Sequence, residues 1–375
     1  MTKRPAQTGE FAVGTFTFTI YKDREERLVP GTMRNIGARV YYPVYKDSVE
    51  GLSKPEYMSR NVALGLKTGM KIPIKYKEHD ANGDNISDCY VNAPRIEGRK
   101  FPLVIFNHGM GGYRESNSFM CLEIASHGYV VISLSHPYDS CCAEFDDGTF
   151  VMMPKDTSSK TCKPMIRGLI AQTKLLKTKG TDRELAEKFD AFQKKYASYV
   201  MERVDECEKD TKAVIRYAEE NLDDLIDFAP GIAVTGHSLG GATAYMLCLN
   251  EPKVVCGINI DGALFGENMG RVLDKPFMQI SCKGNVNAET RPYIDHTKPV
   301  YGAVFNKMQH IGFSDIKHFI NISFLVGKQD ADLAHENVCR CHLEFFDAYL
   351  KKTKFKPDLK SNDIVTIREC APDRA

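Results

Sequence analysis

Several features that would assign a protein to a class at once are missing from this sequence. Its 375 residues contain no tryptophan, and no apolar run reaches the ~20 residues that a membrane-spanning helix needs. The basic residues at the N-terminus are not followed by the apolar segment of a secretory signal peptide. These absences favour a cytoplasmic globular protein and give no support to membrane contact.

An excess of charge of one sign is missing as well. The chain has 50 basic and 49 acidic residues, which leaves a formal net charge of +1. A nucleic-acid-binding protein needs a surplus of lysine and arginine on one face, so we expect no nucleic-acid partner. The apolar fraction of 43% and the charged fraction of 26% are those of an ordinary globular protein that is long enough to bury a large core.

Cysteine is present, but not in a pattern that defines a scaffold or a metal site. Twelve cysteines in a chain of this length do not make a disulfide framework, and the adjacent pair Cys141 and Cys142 lacks zinc-knuckle spacing. His335, Cys339 and His342 lie four and three residues apart, as a soft metal site on a helix would require. Buried cysteines on amphipathic helices are more common than such sites, so the sequence predicts no metal.

The pattern of apolar runs predicts an α/β fold. Alternation at residues 15–20 and 38–44, separated by turn residues, indicates an antiparallel hairpin of half-buried strands. Short continuous apolar runs typical of a parallel sheet covered on both faces then follow at residues 100–109, 127–136, 231–238, 254–262 and 275–284. Helix-compatible segments lie between them, at residues 116–126, 204–222 and 242–250. We expect a mostly parallel central sheet with an antiparallel N-terminal edge and helices on both faces.

Two segments interrupt this alternation within what we expect to be one domain over residues 1–375. Residues 46–99 form an irregular excursion with several turn signals. Residues 151–203 are lysine-rich, include a helical stretch at 182–204, and are long for a simple connection. The second segment is either a helical cap over one end of the sheet or a surface excursion with no part in substrate binding.

The motif GHSLGG at residues 236–241 carries the strongest chemical signal. It follows an apolar strand and precedes a helical segment, so the chain must turn sharply at Ser238. Side chains at Gly236 and Gly240 would collide in such a turn, which explains the two glycines. The serine hydroxyl would then stand at a helix N-terminus, where a developing negative charge is favoured. The alternative is a tight structural turn; the strand before it and the helix after it favour a nucleophile.

A serine nucleophile needs a base, and histidine has a suitable pKa. In an elbow fold the acid and the histidine follow the serine along the chain. Five histidines meet that condition: His296, His310, His318, His335 and His342. We favour His310, because it ends an apolar stretch and would lie where a strand runs out toward the edge that carries Ser238. His318 falls early in a predicted helix, and the last two lie seven residues apart on another.

The acid of the triad has two candidates. Asp261 closes an apolar strand 23 residues after Ser238, which leaves room for one helix and one strand and brings it to the same sheet edge. It would fix the tautomer of the histidine and stabilise the imidazolium. Asp330 also ends an apolar run, but the next histidine follows too closely for a crossover connection, and His310 would precede it. We favour Asp261.

Backbone donors for an oxyanion are predicted at two places. The N–H of Leu239 lies next to the nucleophile at the helix N-terminus. The loop NHGMGG at residues 107–112 follows the first parallel strand, and Gly109 lets its backbone approach the elbow, so the N–H of Met110 is the second candidate. A flexible turn or a phosphate-binding loop is the alternative for this segment, but no G-K-[ST] follows.

These motifs occur in an order that is similar to one known family. HGMGG, EIASHGYVVISLSHPYDS, GHSLGG, INIDGALF and HIGFSD, spread over roughly residues 100–320, closely resemble the platelet-activating-factor acetylhydrolase family of α/β-hydrolases. The resemblance implies an α/β-hydrolase fold and no metal or other cofactor. It implies hydrolysis of short or oxidised acyl chains at the second position of phospholipids, and site residues Ser238, Asp261, His310, Met110 and Leu239.

The hypothesis that follows is a cofactor-free serine esterase acting on a small-molecule or lipid ester. Cutinases and dienelactone-hydrolase-like enzymes share the elbow and the S-H-G-[YF]-V-V segment, so a simple carboxylic ester is an alternative substrate. A non-catalytic protein that keeps the hydrolase pocket for ligand binding is an alternative from another class. Acyl transfer to an acceptor other than water is a third.

Overall fold

The structure is a computed structural model that describes residues 5–72, 74, 76, 85–154, 170–268, 270–320 and 322–372. Its strands are β1 (Ala12–Glu25), β2 (Met33–Val44), β3 (Tyr90–Val91), β4 (Phe101–Asn107), β5 (Val130–Leu134), β6 (Cys142–Glu144), β7 (Phe150–Met152), β8 (Ile226–His237), β9 (Val254–Ile260), β10 (Phe277–Cys282), β11 (Val300–Phe305) and β12 (Val365–Cys370). Ten of them form one sheet, and β6 and β7 pair separately.

The order of strands across the large sheet is β12-β11-β10-β9-β8-β4-β5-β2-β1-β3. The six strands from β11 to β5 are parallel, and β2 and β1 continue the sheet as an antiparallel hairpin. The predicted mixed sheet with an antiparallel N-terminal edge is therefore confirmed. The opposite edge was not predicted: β12 lies antiparallel to β11.

Helices cover both faces of the sheet, as predicted. They are α1 (Arg60–Thr68), α2 (Ser118–Ser126), α3 (Asp182–Tyr196), α4 (Ser198–Asn221), α5 (Leu239–Asn250), α6 (Ser323–Val326) and α7 (Ala331–Tyr349). Alternate residues of β4 show the two layers. Leu103 and Ile105 share a buried cluster with α4 and α5, and Val104 and Phe106 share the other with α2 and α7. Two-sided burial explains why the central strands read as continuous apolar runs.

The predicted single helix over residues 182–204 is wrong. α3 begins at a capping box formed by Thr181 and Glu184, and the chain leaves helical geometry at Ala197, with φ −126° and ψ 22°. The break lets Phe189 of α3 pack near Ala288 while α4 turns to lie against α5. The sequence predicts that His318 lies early in a helix. In the structure it is the last residue of a short 3-10 turn that begins at Asp315.

Part of each excursion lies at the end of the sheet where the parallel strands have their carboxyl ends, whereas β3, which also belongs to the first excursion, pairs with β1 at the sheet edge. α1, from the first excursion, packs beside β6, where Gly65 closely approaches the backbone of Cys141. The described part of the second excursion contains a helical stretch at 170–176 and α3. Within the described ranges, no helix is both long and apolar enough to cross a membrane.

Candidate active site

The GHSLGG motif forms a sharp turn between β8 and α5. β8 ends at His237, α5 begins at Leu239, and Ser238 joins them with φ 57° and ψ −117°. A positive φ is strained for any residue with a side chain, and such strain is typical of functional turns. The conformation holds the Ser238 hydroxyl at the N-terminus of α5, above the sheet edge.

The glycines around Ser238 are required by close backbone contacts. A Cβ atom on Gly236 would lie 2.2 Å from the carbonyl oxygen of Gly240, and one on Gly240 would lie 2.0 Å from the carbonyl oxygen of Asn107. A Cβ atom on Gly109, in the loop after β4, would lie 2.9 Å from the Cβ atom of Ser238. The chain therefore passes Ser238 at distances that only glycine allows.

Asp261 and His310 complete a hydrogen-bonded relay with Ser238. His310 Nε2 lies 2.9 Å from Ser238 Oγ, and His310 Nδ1 lies 2.7 Å from Asp261 Oδ2. Asp261 follows β9 directly and is buried, whereas the His310 side chain is 40% exposed. His310 opens a 3-10 turn (His310–Phe313) five residues after β11. Residues from three separate strand ends thus meet at one sheet edge.

The hydrogen-bond partners of His310 determine which of its ring nitrogens carries the proton. A carboxylate can only accept a hydrogen bond, so Nδ1 of His310 carries a proton that it donates to Asp261. Nε2 is then free to accept the proton of the Ser238 hydroxyl. Burial alone would raise the pKa of Asp261, but hydrogen bonds from His310 and from the N–H of Cys282 lower it below its ordinary value. Asp261 therefore remains a carboxylate that can stabilise an imidazolium.

Two residues that contact the relay were not predicted from the sequence. Asn285 Nδ2 donates to Asp261 Oδ2 at 2.8 Å, and His237 Nε2 lies 3.0 Å from the carbonyl oxygen of His310. A positional signal existed for both, since each stands at or just beyond the carboxyl end of a parallel strand. That edge is where α/β sheets place their functional groups.

The predicted oxyanion donors lie on either side of the serine. Leu239 is the first residue of α5, where the N–H groups of a helix have no intrahelical partner. Met110 lies in the loop after β4, whose shape is held by the N–H of Gly111, which donates to the carbonyl of Asp139 at 2.7 Å. Met110 and Ser238 line the same cavities.

The rival candidates of the sequence have other hydrogen-bond partners. Asp330 caps α7 by accepting from the N–H of Leu333. The remaining histidines bond elsewhere: His296 to Lys298, His318 to His335, His335 also to Gly312, and His342 to Thr235 and Val338. Among the residues that the structure describes, no group of three or more His, Cys, Asp or Glu side chains is placed to hold a metal ion.

Two cavities flank Ser238. One, of about 150 Å³, is lined by residues of the His310 turn, by the loop of Met110, and by Met70 and Ile72 from the first excursion. The other, of about 330 Å³, is lined by Leu176 of the second excursion, together with residues from α4 and from the loops after β9 and β10. Both excursions therefore supply walls beside Ser238.

Comparison with known proteins identifies the family. The model of the family "Platelet-activating factor acetylhydrolase, isoform II" matches residues 1–356. The chain belongs to this family. Two relatives named platelet-activating factor acetylhydrolase are those of Cavia porcellus, 25% identical over 318 residues, and Canis lupus familiaris, 30% identical over 176 residues. These alignments cover 82% and 45% of this chain, and 67% and 37% of the relatives' own lengths.

A solved structure supports the fold. A ferulic acid esterase from Streptomyces cinnamoneus superimposes with a TM-score of 0.66 over 97% of each chain, at 19% identity. At that identity the similarity shows a common α/β-hydrolase architecture and no more. The family assignment confirms the predicted family and the predicted class, a carboxylic-ester hydrolase.

Proposed function

We propose that the chain is one α/β-hydrolase domain that hydrolyses short-chain carboxylic esters through an acyl-enzyme on Ser238. The observation that carries the proposal is the relay of Asp261, His310 and Ser238 at a strained elbow, with distances of 2.7 Å and 2.9 Å. A serine hydroxyl becomes an effective nucleophile only when a positioned base takes its proton. His310 is that base in this arrangement, and Asp261 orients it.

The first half of the reaction forms the acyl-enzyme. His310 Nε2 takes the hydroxyl proton as Ser238 Oγ bonds to the ester carbonyl carbon, and an electron pair moves onto the carbonyl oxygen. The backbone N–H groups of Met110 and Leu239 stabilise that oxyanion. Its collapse breaks the bond to the alkoxy oxygen, which receives the proton from His310 and leaves as the alcohol.

The second half releases the acid. His310 takes a proton from water as the water oxygen bonds to the acyl carbon. The new tetrahedral intermediate collapses, and Ser238 Oγ leaves and regains its proton from His310. The chemistry requires only groups of this chain and one water molecule.

The cavities favour a small ester. The cavity of about 150 Å³ is the smaller of the two, so it suits the shorter half of the ester. The 330 Å³ cavity accommodates a larger half. Relatives are named for the hydrolysis of platelet-activating factor, so phospholipids with short or oxidised acyl groups at the second position are the substrates that we propose.

The test is the initial rate on p-nitrophenyl esters from acetate to palmitate, before and after treatment with a fluorophosphonate. We expect activity on short chains that the reagent abolishes. Ser238→Ala should lower kcat by about 10⁴-fold or more without unfolding the protein. Ser126→Ala is the control, since Ser126 is buried and its hydroxyl donates to the carbonyl oxygen of Glu123. An active, correctly folded Ser238→Ala protein would refute the proposal.

A further inference from the structure

His237, the residue before the nucleophile, contacts the turn that carries His310. The two imidazole rings have centroids 4.8 Å apart, and His237 Nε2 lies 3.0 Å from the His310 carbonyl oxygen. His237 is 8% exposed, and its hydrogen bond to the partly exposed His310 is partly buried. The elbow is therefore joined to the His310 backbone by the side chain adjacent to Ser238.

The partner atom determines the tautomer of His237. A carbonyl oxygen can only accept, so the proton resides on Nε2 and the hydrogen bond runs from His237 to His310. The charged groups that face this ring are His310, when protonated, and Asp261. Burial, and then the neighbouring His310, lower the pKa of His237 to about 3. His237 is therefore a neutral donor throughout the pH range in which the enzyme would work.

The turn that carries His310 needs such support. It contains four residues, begins five residues beyond β11, and leaves the His310 side chain 40% exposed. Toward the C-terminal end of the turn, the carbonyl oxygen of Gly312 accepts a hydrogen bond of 3.2 Å from His335 Nε2. The bond from His237 holds the near end, at the residue whose imidazole must reach Ser238 Oγ.

We propose that His237 is a positioning residue for ester hydrolysis: by donating Nε2–H to the His310 carbonyl, it sets the distance between the His310 imidazole and Ser238 Oγ. This inference rests on the proposed function, in which His310 is the base. A neutral donor also suits the reaction, because a cation 4.8 Å from His310 would oppose the imidazolium that forms during attack.

Two substitutions separate the hydrogen bond from the bulk of the ring. His237→Leu fills similar space without a donor, and His237→Gln keeps an N–H at similar reach. Because a displacement of ~1 Å in a catalytic group costs up to ~10²-fold, we expect the leucine variant to lower kcat by about 10- to 100-fold. KM should change by less than about threefold, and the glutamine variant should recover most of kcat.

His342 provides the matched control. Like His237 it is buried and bonds to a backbone carbonyl, that of Val338, but its other partner is Thr235 and not the His310 turn. His342→Leu should lower the urea midpoint of unfolding about as much as His237→Leu does while leaving kcat within about twofold. If both leucine variants lower kcat equally, general destabilisation explains the loss and the inference is wrong.

Two further results would contradict the role that we propose for the His237 hydrogen bond. Wild-type kcat in His237→Leu, or equal losses in the leucine and glutamine variants, would overturn the role of the hydrogen bond. If His237→Leu does not fold, His237→Asn replaces it, since its shorter amide cannot reach the carbonyl, and the same loss of kcat is expected. Ser238→Ala in the same assay tests the proposed function separately: its inactivity beside a fully active His237→Leu would refute only the inference about His237.

Discussion

Gly240 is the residue at which the elbow tolerates least change. A Cβ atom there would lie 2.0 Å from the carbonyl oxygen of Asn107 and 2.8 Å from that of His108, and both are backbone atoms that cannot rotate away. The backbone on one side must move, and the loop that carries Met110 begins directly after His108. A single methyl group would therefore move Ser238 away from Met110, its proposed oxyanion donor.

We expect Gly240→Ala to lower the free energy of unfolding by about 1–3 kcal/mol, the usual cost of overpacking a filled site. The rate of fluorophosphonate labelling of Ser238 should fall with it. Urea unfolding and labelling kinetics measure the two effects. Gly284→Ala is the control, because a Cβ there meets open space within 4 Å. Equal behaviour of the two alanine variants would contradict the close packing that we describe.

For single residues, the sequence predicts where the candidate site residues lie on strands and turns better than it predicts which atoms they contact. Ser238 and Asp261 could be located because a motif and a strand end mark them, and His310 because it follows a strand. The structure brings these three within hydrogen-bond distance, while their catalytic roles stay predictions. His237 and Asn285 could not be assigned, because their partners are a carbonyl and a carboxylate 73 and 24 residues away along the chain.

At the scale of elements, α4 is connected to the loop that carries Met110. The sequence of α4 does not suggest this connection. Arg203 of α4 donates two hydrogen bonds, of 2.9 Å and 2.8 Å, to the carboxylate of Asp139. The carbonyl of Asp139 accepts from the N–H of Gly111, next to Met110. Arg203 and Asp139 are both buried, so a helix that begins within the second excursion holds the loop through a buried ion pair.

Arg203→Met should lower the free energy of unfolding by about 3–5 kcal/mol, because the buried carboxylate of Asp139 loses two charge-assisted hydrogen bonds and keeps Arg34, 3.7 Å away, as a cationic neighbour. Arg183→Met is the matched control. Arg183 pairs with Asp295 at 2.8 Å, but its side chain is 54% exposed, and an exposed pair contributes at most about 1 kcal/mol. Urea titration of both variants measures the difference. If the two variants lost similar free energies of unfolding, burial would not make the Arg203 pair more stabilising than an exposed pair.

Elements were predictable where one physical signal dominates. The central strands are buried on both faces, and their continuous apolar runs are visible in the sequence. The alternation of the N-terminal hairpin is visible too, but it suggests half-buried strands, whereas Tyr41 and Tyr42 of β2 are buried on opposite faces. The break at Ala197 was not predictable, since no glycine or proline marks it and the reason lies in what α3 and α4 pack against. β12 was missed because its alternation is weak and includes exposed Arg368 and Glu369.

For the molecule as a whole, buried neutral histidines predict acid sensitivity. Burial is the largest cause that lowers the pKa of His108 and His237 to about 3 and that of His342 to about 4, from an ordinary 6.5. Below pH 6.5 the unfolded chain binds protons at these sites and the folded chain does not. Stability therefore falls as the pH drops below 6.5 toward the folded values, and it is undiminished above 6.5.

Each of these histidines should remove about 1.4 kcal/mol from the free energy of unfolding for each pH unit below 6.5. Urea unfolding between pH 7 and pH 5 measures the slope. His342→Gln should reduce that slope by about one proton, because it removes one titrating site. A slope that is flat in this range, or unchanged in the variant, would contradict the assignment of these rings as neutral.

The two outer strands of the large sheet bear on how the protein behaves at high concentration. An open edge offers unpaired backbone groups to any neighbouring chain, which makes long apolar edges prone to aggregation. At one edge β3 has two residues, and at the other β12 exposes Thr366, Arg368 and Glu369. The exposed polar side chains of β12 leave no long apolar ladder at that edge, so β12 is a poor template for a strand from another molecule.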